Sequence, residues 1–225
     1  MAQTHTRRRQ VAAHPPTSLG LDMRKVGMWT FLGSESLFFA TLITNFFVHR
    51  DSPRGTGLTP DDLDINLTGI GAFVLLMSSL TMVLALAALK DGKRSKFRAW
   101  ILSTALLGAS FLGMQVYEFT EFALHDKGMS SNMFGASFFA LTGFHGIHVL
   151  IGVIWLLSVY FLGVGKNARR PLEYVVGESG DVRSHREPSD GGAAIPVELC
   201  GLYWHFVDLV WVFIFTLIYL LPITG

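Results

Sequence analysis

Charge is scarce in this sequence. Asp, Glu, Lys and Arg make up 16% of the residues, against roughly 25% in a soluble domain. With half of the residues hydrophobic, that shortage excludes an ordinary water-soluble globule. Cysteine is scarcer still: Cys200 is the only one, so no intrachain disulfide can form. Its place near one end of an apolar run fits an inert buried thiol. The formal net charge is only +1, and no nucleic-acid partner is expected.

What the chain has in quantity is long apolar runs. Val26–Val48 carries one charge, Glu35; Leu67–Leu89, Ala99–Tyr117 and Met133–Gly163 carry none; Leu199–Leu221 carries one, Asp208. Runs of this length read as membrane-spanning helices. They predict an all-α, polytopic membrane protein, a five-transmembrane-helix bundle with helices at about 26–48, 67–89, 98–121, 133–163 and 197–221. Residues 26–225 then form one domain behind a cytoplasmic segment, 1–25. Arg7, Arg8 and Arg9 do not make that segment a signal peptide. The run that follows is too long, contains Glu35 and lacks a small-residue cleavage site.

Basic residues set the orientation. Lys and Arg number five before the first run, then two, five, one and five between successive runs, and none after the last. The positive-inside rule places the rich segments in the cytoplasm, with the N-terminus inside and the C-terminus outside. The longest connection, Lys166–Pro196, is rich in Gly, Ser, Pro and charge. It is expected to be a solvated linker or a strap on a neighbouring subunit. Ala105, Ala109 and Gly113, and likewise Ala136, Ala140 and Gly143, recur at about four-residue spacing and offer close helix packing.

Glu35 is the most informative residue. A charge near mid-membrane costs about 2.5–3.5 kcal/mol on insertion, so it is partnered or functional. Counting about 1.5 Å per residue, Glu35 lies roughly 14 Å from the inner surface. His205 and Asp208 lie roughly 12 and 17 Å in, and His145 and His148 about 12 and 8 Å from the same side. Three helices thus carry ionisable groups at similar depth, and His145/His148 and His205/Asp208 are each three residues apart, on one helix face. Three readings fit: a metal or haem site, a proton-conducting transporter with Glu35 as relay, or a structural hydrogen-bond network. No pair of interrupted helices marks a transport site. A second cluster, Gln115, Tyr117, Glu118 and Glu121, falls near the outer surface and reads as an interfacial helix end.

At these residues the chain resembles subunit III of the haem–copper oxidases, the cytochrome c oxidase type. RKVGMWTFLGSESLFF, FLGMQVYEF, GASFFALTGFHGIHVLIG and YWHFVDLVWVFIFTLIY are similar to family segments, in family order. Glu35 falls on the intramembrane glutamate, and His145 and His148 on the FHG-x-H pair. The resemblance runs from about Arg24 to the C-terminus. Two departures stand out: the first two of the seven helices of longer members are absent, which points to a bacterial cell membrane, and the loop before the last helix is longer than usual. The resemblance implies a chain with no catalytic centre, cofactor or metal of its own. Haem and copper would belong to subunits I and II. The chain would pack on subunit I, bind phospholipid and support sustained proton uptake during reduction of O2 to water. Cytochrome c or quinol would be the donor to the complex. A ubiquinol oxidase subunit III is the alternative, with a nitric oxide reductase accessory protein as a third possibility.

Overall fold

A computed structural model describes residues 23–50, 57–162, 174–176, 182–184 and 191–221. Five long helices dominate: α1 (Met23–His49), α2 (Ile65–Lys90), α3 (Arg94–Leu124), α4 (Met133–Leu162) and α5 (Gly191–Phe215). All five are long and apolar enough to cross a membrane, as the sequence predicts. Their apolar residues surround each helix rather than forming one stripe, as expected when lipid or another helix lies on every side. The hydroxyls on these helices bond back to their own backbone. Thr30, Ser36, Thr41 and Thr44 donate to the carbonyls of Val26, Leu32, Leu37 and Ala40 at 2.8–3.0 Å. No hydroxyl in that set then needs water.

Helix ends are set by local chemistry. Asp64 caps α2, its Oδ1 accepting from the Asn66 and Leu67 amides at 2.9 and 3.1 Å. α2 stops at Gly92, with φ of 73°, in a Schellman turn: the Gly92 amide donates to Leu89 O and the Lys93 amide to Ala88 O. Only three residues therefore separate α2 from α3. α3 stops in the same way with Asp126 at φ 57°, the Lys127 amide donating to Phe122 O at 2.9 Å. That turn delivers the Lys127 side chain to Asp62, 2.6 Å away in the α1–α2 connection. α4 is capped by Asn132, which accepts from the Gly135 amide and donates to Leu58 O.

α5 lies at the centre, packing on α1, α2 and α4, while α1 packs on α4 and α5. Half of the most apolar stretch of α5 is buried but only 17% of that of α1. Trp204 of α5 is the keystone of the packing. Its indole N–H donates to Ser78 Oγ of α2 at 2.9 Å, and its ring lies against Gly108 of α3 and Gly152 of α4. A Cβ at Gly152 would fall 2.8 Å from the indole, and one at Gly108 would collide with its far edge. The small-residue stripes expected from spacing are displaced accordingly. Ala109 and Gly113 are exposed and Ala136, Ala140 and Gly143 only half-buried, because the bulk to be accommodated is the indole at Gly108 and Gly152.

Two further details differ from expectation. α5 starts at Gly191, before Pro196, so the last residues of the predicted loop are helical. A short antiparallel pair, β1 (Tyr174–Val176) and β2 (Val182–Ser184), lies in the α4–α5 connection with Val175 opposite Arg183. The rest of that loop, and residues 1–22, lie outside the described residues. Finally, α5 closes in a π-helical turn, Thr216–Leu220, with the Leu221 amide donating to Thr216 O.

Candidate functional site

Glu35 of α1 and His148 of α4 meet at the α1–α4 seam. Glu35 Oε2 lies 3.1 Å from His148 Nε2, with side chains 20% and 13% exposed. The other ring nitrogen, Nδ1, lies 2.7 Å from Phe144 O. A carbonyl only accepts, so Nδ1 carries a hydrogen. Nε2 then either accepts from a protonated Glu35 or, as an imidazolium, donates to its carboxylate. In both cases the two groups hold a single proton between them, and the pair is neutral overall. Tyr203 of α5 braces the helix turn behind it, donating to His148 O at 3.0 Å. The Phe39 ring packs edge-on against His148 at 5.0 Å.

The remaining members of the expected layer do not join this pair. His145 is fully buried, stacked on Trp211 at 4.8 Å and edge-on to Phe111. Neither of its ring nitrogens has a hydrogen-bond partner among the described residues. His205 bonds through Nδ1 to the Ser79 hydroxyl of α2. Asp208 is buried, and the same Ser79 hydroxyl is the polar neighbour of its carboxylate. Of the five residues, the structure brings only Glu35 and His148 into direct contact.

The second cluster divides. Tyr117 and Glu121 are exposed, but Gln115 and Glu118 point into the bundle and are buried. Gln115 Nε2 donates to Thr142 O of α4 at 2.6 Å. Glu118 Oε1 accepts from Thr68 of α2 and Tyr219 of the π-helical turn, both at 3.4 Å. Residues 115 and 118 are three apart and face inward with Phe111 and Phe122, whereas 117 and 121 fall on the outer face. Sequence reasoning missed Thr68, Thr142, Ser79, Tyr203 and Tyr219, the partners that satisfy these polar groups.

Charge also clamps the two ends. Glu198 at the start of α5 lies 2.7 Å from Lys25 of α1 and 3.5 Å from Lys90 of α2. At the opposite end, Asp62 Oδ2 accepts from the Thr59 amide and hydroxyl while Oδ1 accepts from Lys127. Partial burial raises the Asp62 pKa, but the Lys127 and Thr59 bonds outweigh it and hold the carboxyl below its usual 3.8.

Among the described residues, no group of three or more His, Cys, Asp or Glu side chains is arranged to hold a metal ion. A bundle of five such helices, with Glu35 linked to His148 and His205 to Ser79 across helix seams, is a multi-pass membrane protein. The family model for cytochrome c oxidase subunit III matches residues 14–168, and the chain belongs to that family. It is 37% identical to cytochrome c oxidase subunit 3 of Bacillus subtilis (strain 168) over 202 residues, 89% of this chain and 87% of the relative. It is 34% identical to quinol oxidase subunit 3 of the same organism over 201 residues, 89% and 88% of the two chains. Against cytochrome c oxidase subunit 3 of Synechocystis sp. (strain ATCC 27184 / PCC 6803 / Kazusa) it is 34% identical over 205 residues, 89% and 76%. The chain is thus a subunit III of the haem–copper oxidase kind, a component of a respiratory oxidase complex.

Proposed function

We propose that this chain is the non-redox core subunit of a bacterial plasma-membrane oxidase that receives electrons from cytochrome c. It packs on subunit I, holds phospholipid against its apolar faces and supports sustained proton uptake. Haem and copper sit in partner subunits, and the N-terminus faces the cytoplasm. The observation that carries the reading is the Glu35–His148 pair, a one-proton link at the edge of the most exposed helix. Large apolar side chains nearby, such as Leu37 at 72% exposure, suit lipid or a partner helix. The Lys25–Glu198–Lys90 clamp gathers the basic ends of α1 and α2 at the acidic Glu198 of α5, on one side of the bundle, in keeping with the charge rule.

The test is made on membranes from a bacterium expressing a tagged chain. The tag should recover haem-bearing subunit I, while the chain purified alone should show no haem absorbance. In the assembled oxidase, Glu35→Gln should leave the initial rate of proton uptake intact. Abolished initial uptake would turn Glu35 into an essential relay. A quinol donor is the second reading, supported by the similar identity to a quinol oxidase subunit. A co-purifying subunit II without copper ligands would select it.

A further inference from the structure

Glu118 belongs to a different part of the bundle from the Glu35–His148 pair. It lines a cavity between α2, α3, α4 and α5 with about 20 Å³ of room for the centre of a water molecule. The polar lining is Thr68, Gln115, Glu118, Thr142 and Trp211, and Gly71 forms part of the wall. A space of at least about 10–15 Å³ holds one water if two to four polar groups receive it. Gln115 Oε1 and Trp211 Nε1 are buried without a hydrogen-bond partner among the described residues. Their residues are 8% and 3% exposed, and Glu118 is 9% exposed. One of these atoms can only accept and the other only donate, so neither can be satisfied by a group of its own kind. Water does both.

We propose that this cavity is a water-binding site: one molecule accepts from the Trp211 indole N–H, donates to Gln115 Oε1 and bonds to the Glu118 carboxyl. The other polar groups there are already committed. Thr142 donates its hydroxyl to Phe138 O at 2.7 Å, and Thr68 bonds to Asp64 O at 2.8 Å and to Glu118. The water gives Glu118 an exchange partner for a proton at a place where the lining offers no histidine or other base. It also explains why Gln115 is held so firmly. Its amide sits against the backbone of Gly146, where a Cβ would lie 2.6 Å from Oε1, so it is aimed rather than free to turn away.

The sign of one substitution separates a hydrated cavity from a dry one. A Cβ at Gly71 would meet Phe111 at 3.4 and 3.6 Å and Met114 at 3.7 Å, ordinary contacts, so Gly71→Ala fits and takes room from a cavity that Gly71 lines. Filling a dry cavity stabilises, and replacing a helical glycine by alanine stabilises as well. Displacing a water that satisfies buried polar groups does the reverse. Gly113→Ala, where a Cβ meets nothing within 4 Å, measures the helix effect alone. With the full chain in detergent micelles, Gly71→Ala should melt below Gly113→Ala by about 2–4 °C or more. An experimental map that resolves ordered water should show one peak bridging Trp211 and Gln115. A melting temperature for Gly71→Ala at or above that of Gly113→Ala overturns the site, as does a map with no peak there. Should Gly71→Ala fail to fold, the map of the unaltered chain decides.

Discussion

Replacing Glu35 by glutamine and by alanine separates the loss of a charge from the loss of a hydrogen-bond partner. His148 Nδ1 is committed to Phe144 O, so Glu35 is the partner the ring's Nε2 has. Alanine strands that nitrogen in a site only 13% exposed, and an unpartnered buried polar atom costs about 1–3 kcal/mol. The residual exposure admits some solvent and sets the expectation at the lower half, about 1–2 kcal/mol. Glutamine keeps the length and offers an amide hydrogen to Nε2, so its cost should stay under about 1 kcal/mol. At about 2–4 °C per kcal/mol for a chain of this size, alanine should lower the melting temperature by several degrees and glutamine by little. A double-mutant cycle with His148→Gln should return a coupling of about 0.5–1.5 kcal/mol. The assay is thermal unfolding of the full chain in detergent micelles. Glutamine as damaging as alanine, or a coupling indistinguishable from zero, would refute the one-proton link.

Three further outcomes follow from the same geometry. The Asp62 carboxyl is held below its usual 3.8, so its stabilisation is present above that pH and is lost as pH falls through the lower, folded value; Asp62→Asn should flatten the acid side of the melting curve, and an unchanged acid slope would dismiss the clamp. Gly146→Ala would press a methyl onto the Gln115 amide and break its bond to Thr142, at about 1–3 kcal/mol, whereas Gly33→Ala, with nothing within 4 Å, should be neutral or slightly stabilising; equal effects would argue against the close approach. Ser184→Cys in a Cys200→Ala background should be labelled by a membrane-impermeant thiol reagent only from the cytoplasmic side, and labelling in intact cells would invert the proposed topology.

The helices were legible because apolar length is a strong signal in a chain so poor in charge. Counting residues along α1 and α4 makes Glu35 and a histidine plausible neighbours, and Glu35 and His148 are in contact. What depth cannot supply is azimuth. Residues three apart on a helix differ by about 60° around its axis. That turn is enough to send His145 onto Trp211 and His148 onto Glu35. On α3, Gln115 and Glu118 stay together on the inner face while Tyr117 and Glu121 turn outward. The hydroxyl partners were illegible for another reason: Thr68 and Ser79 look like any other threonine and serine that bonds its own helix. Tyr219 is brought to Glu118 on a π-helical turn, which changes the periodicity on which a sequence reading depends.

The single proton held by Glu35 and His148 also fixes how the pair answers to an energised membrane. Moving one charge across the whole bilayer is worth about 2.3 kcal/mol per 100 mV. The proton's travel is confined to a bond of 3.1 Å, about a tenth of a hydrocarbon core roughly 30 Å thick. Even if that bond lay along the field, 100 mV would bias it by only about 0.2 kcal/mol, well under thermal energy. A link between neighbouring helices runs mostly across the field, which reduces the bias further. The pair is electrically quiet: its proton is placed by local chemistry and stays where it is as the voltage rises and falls.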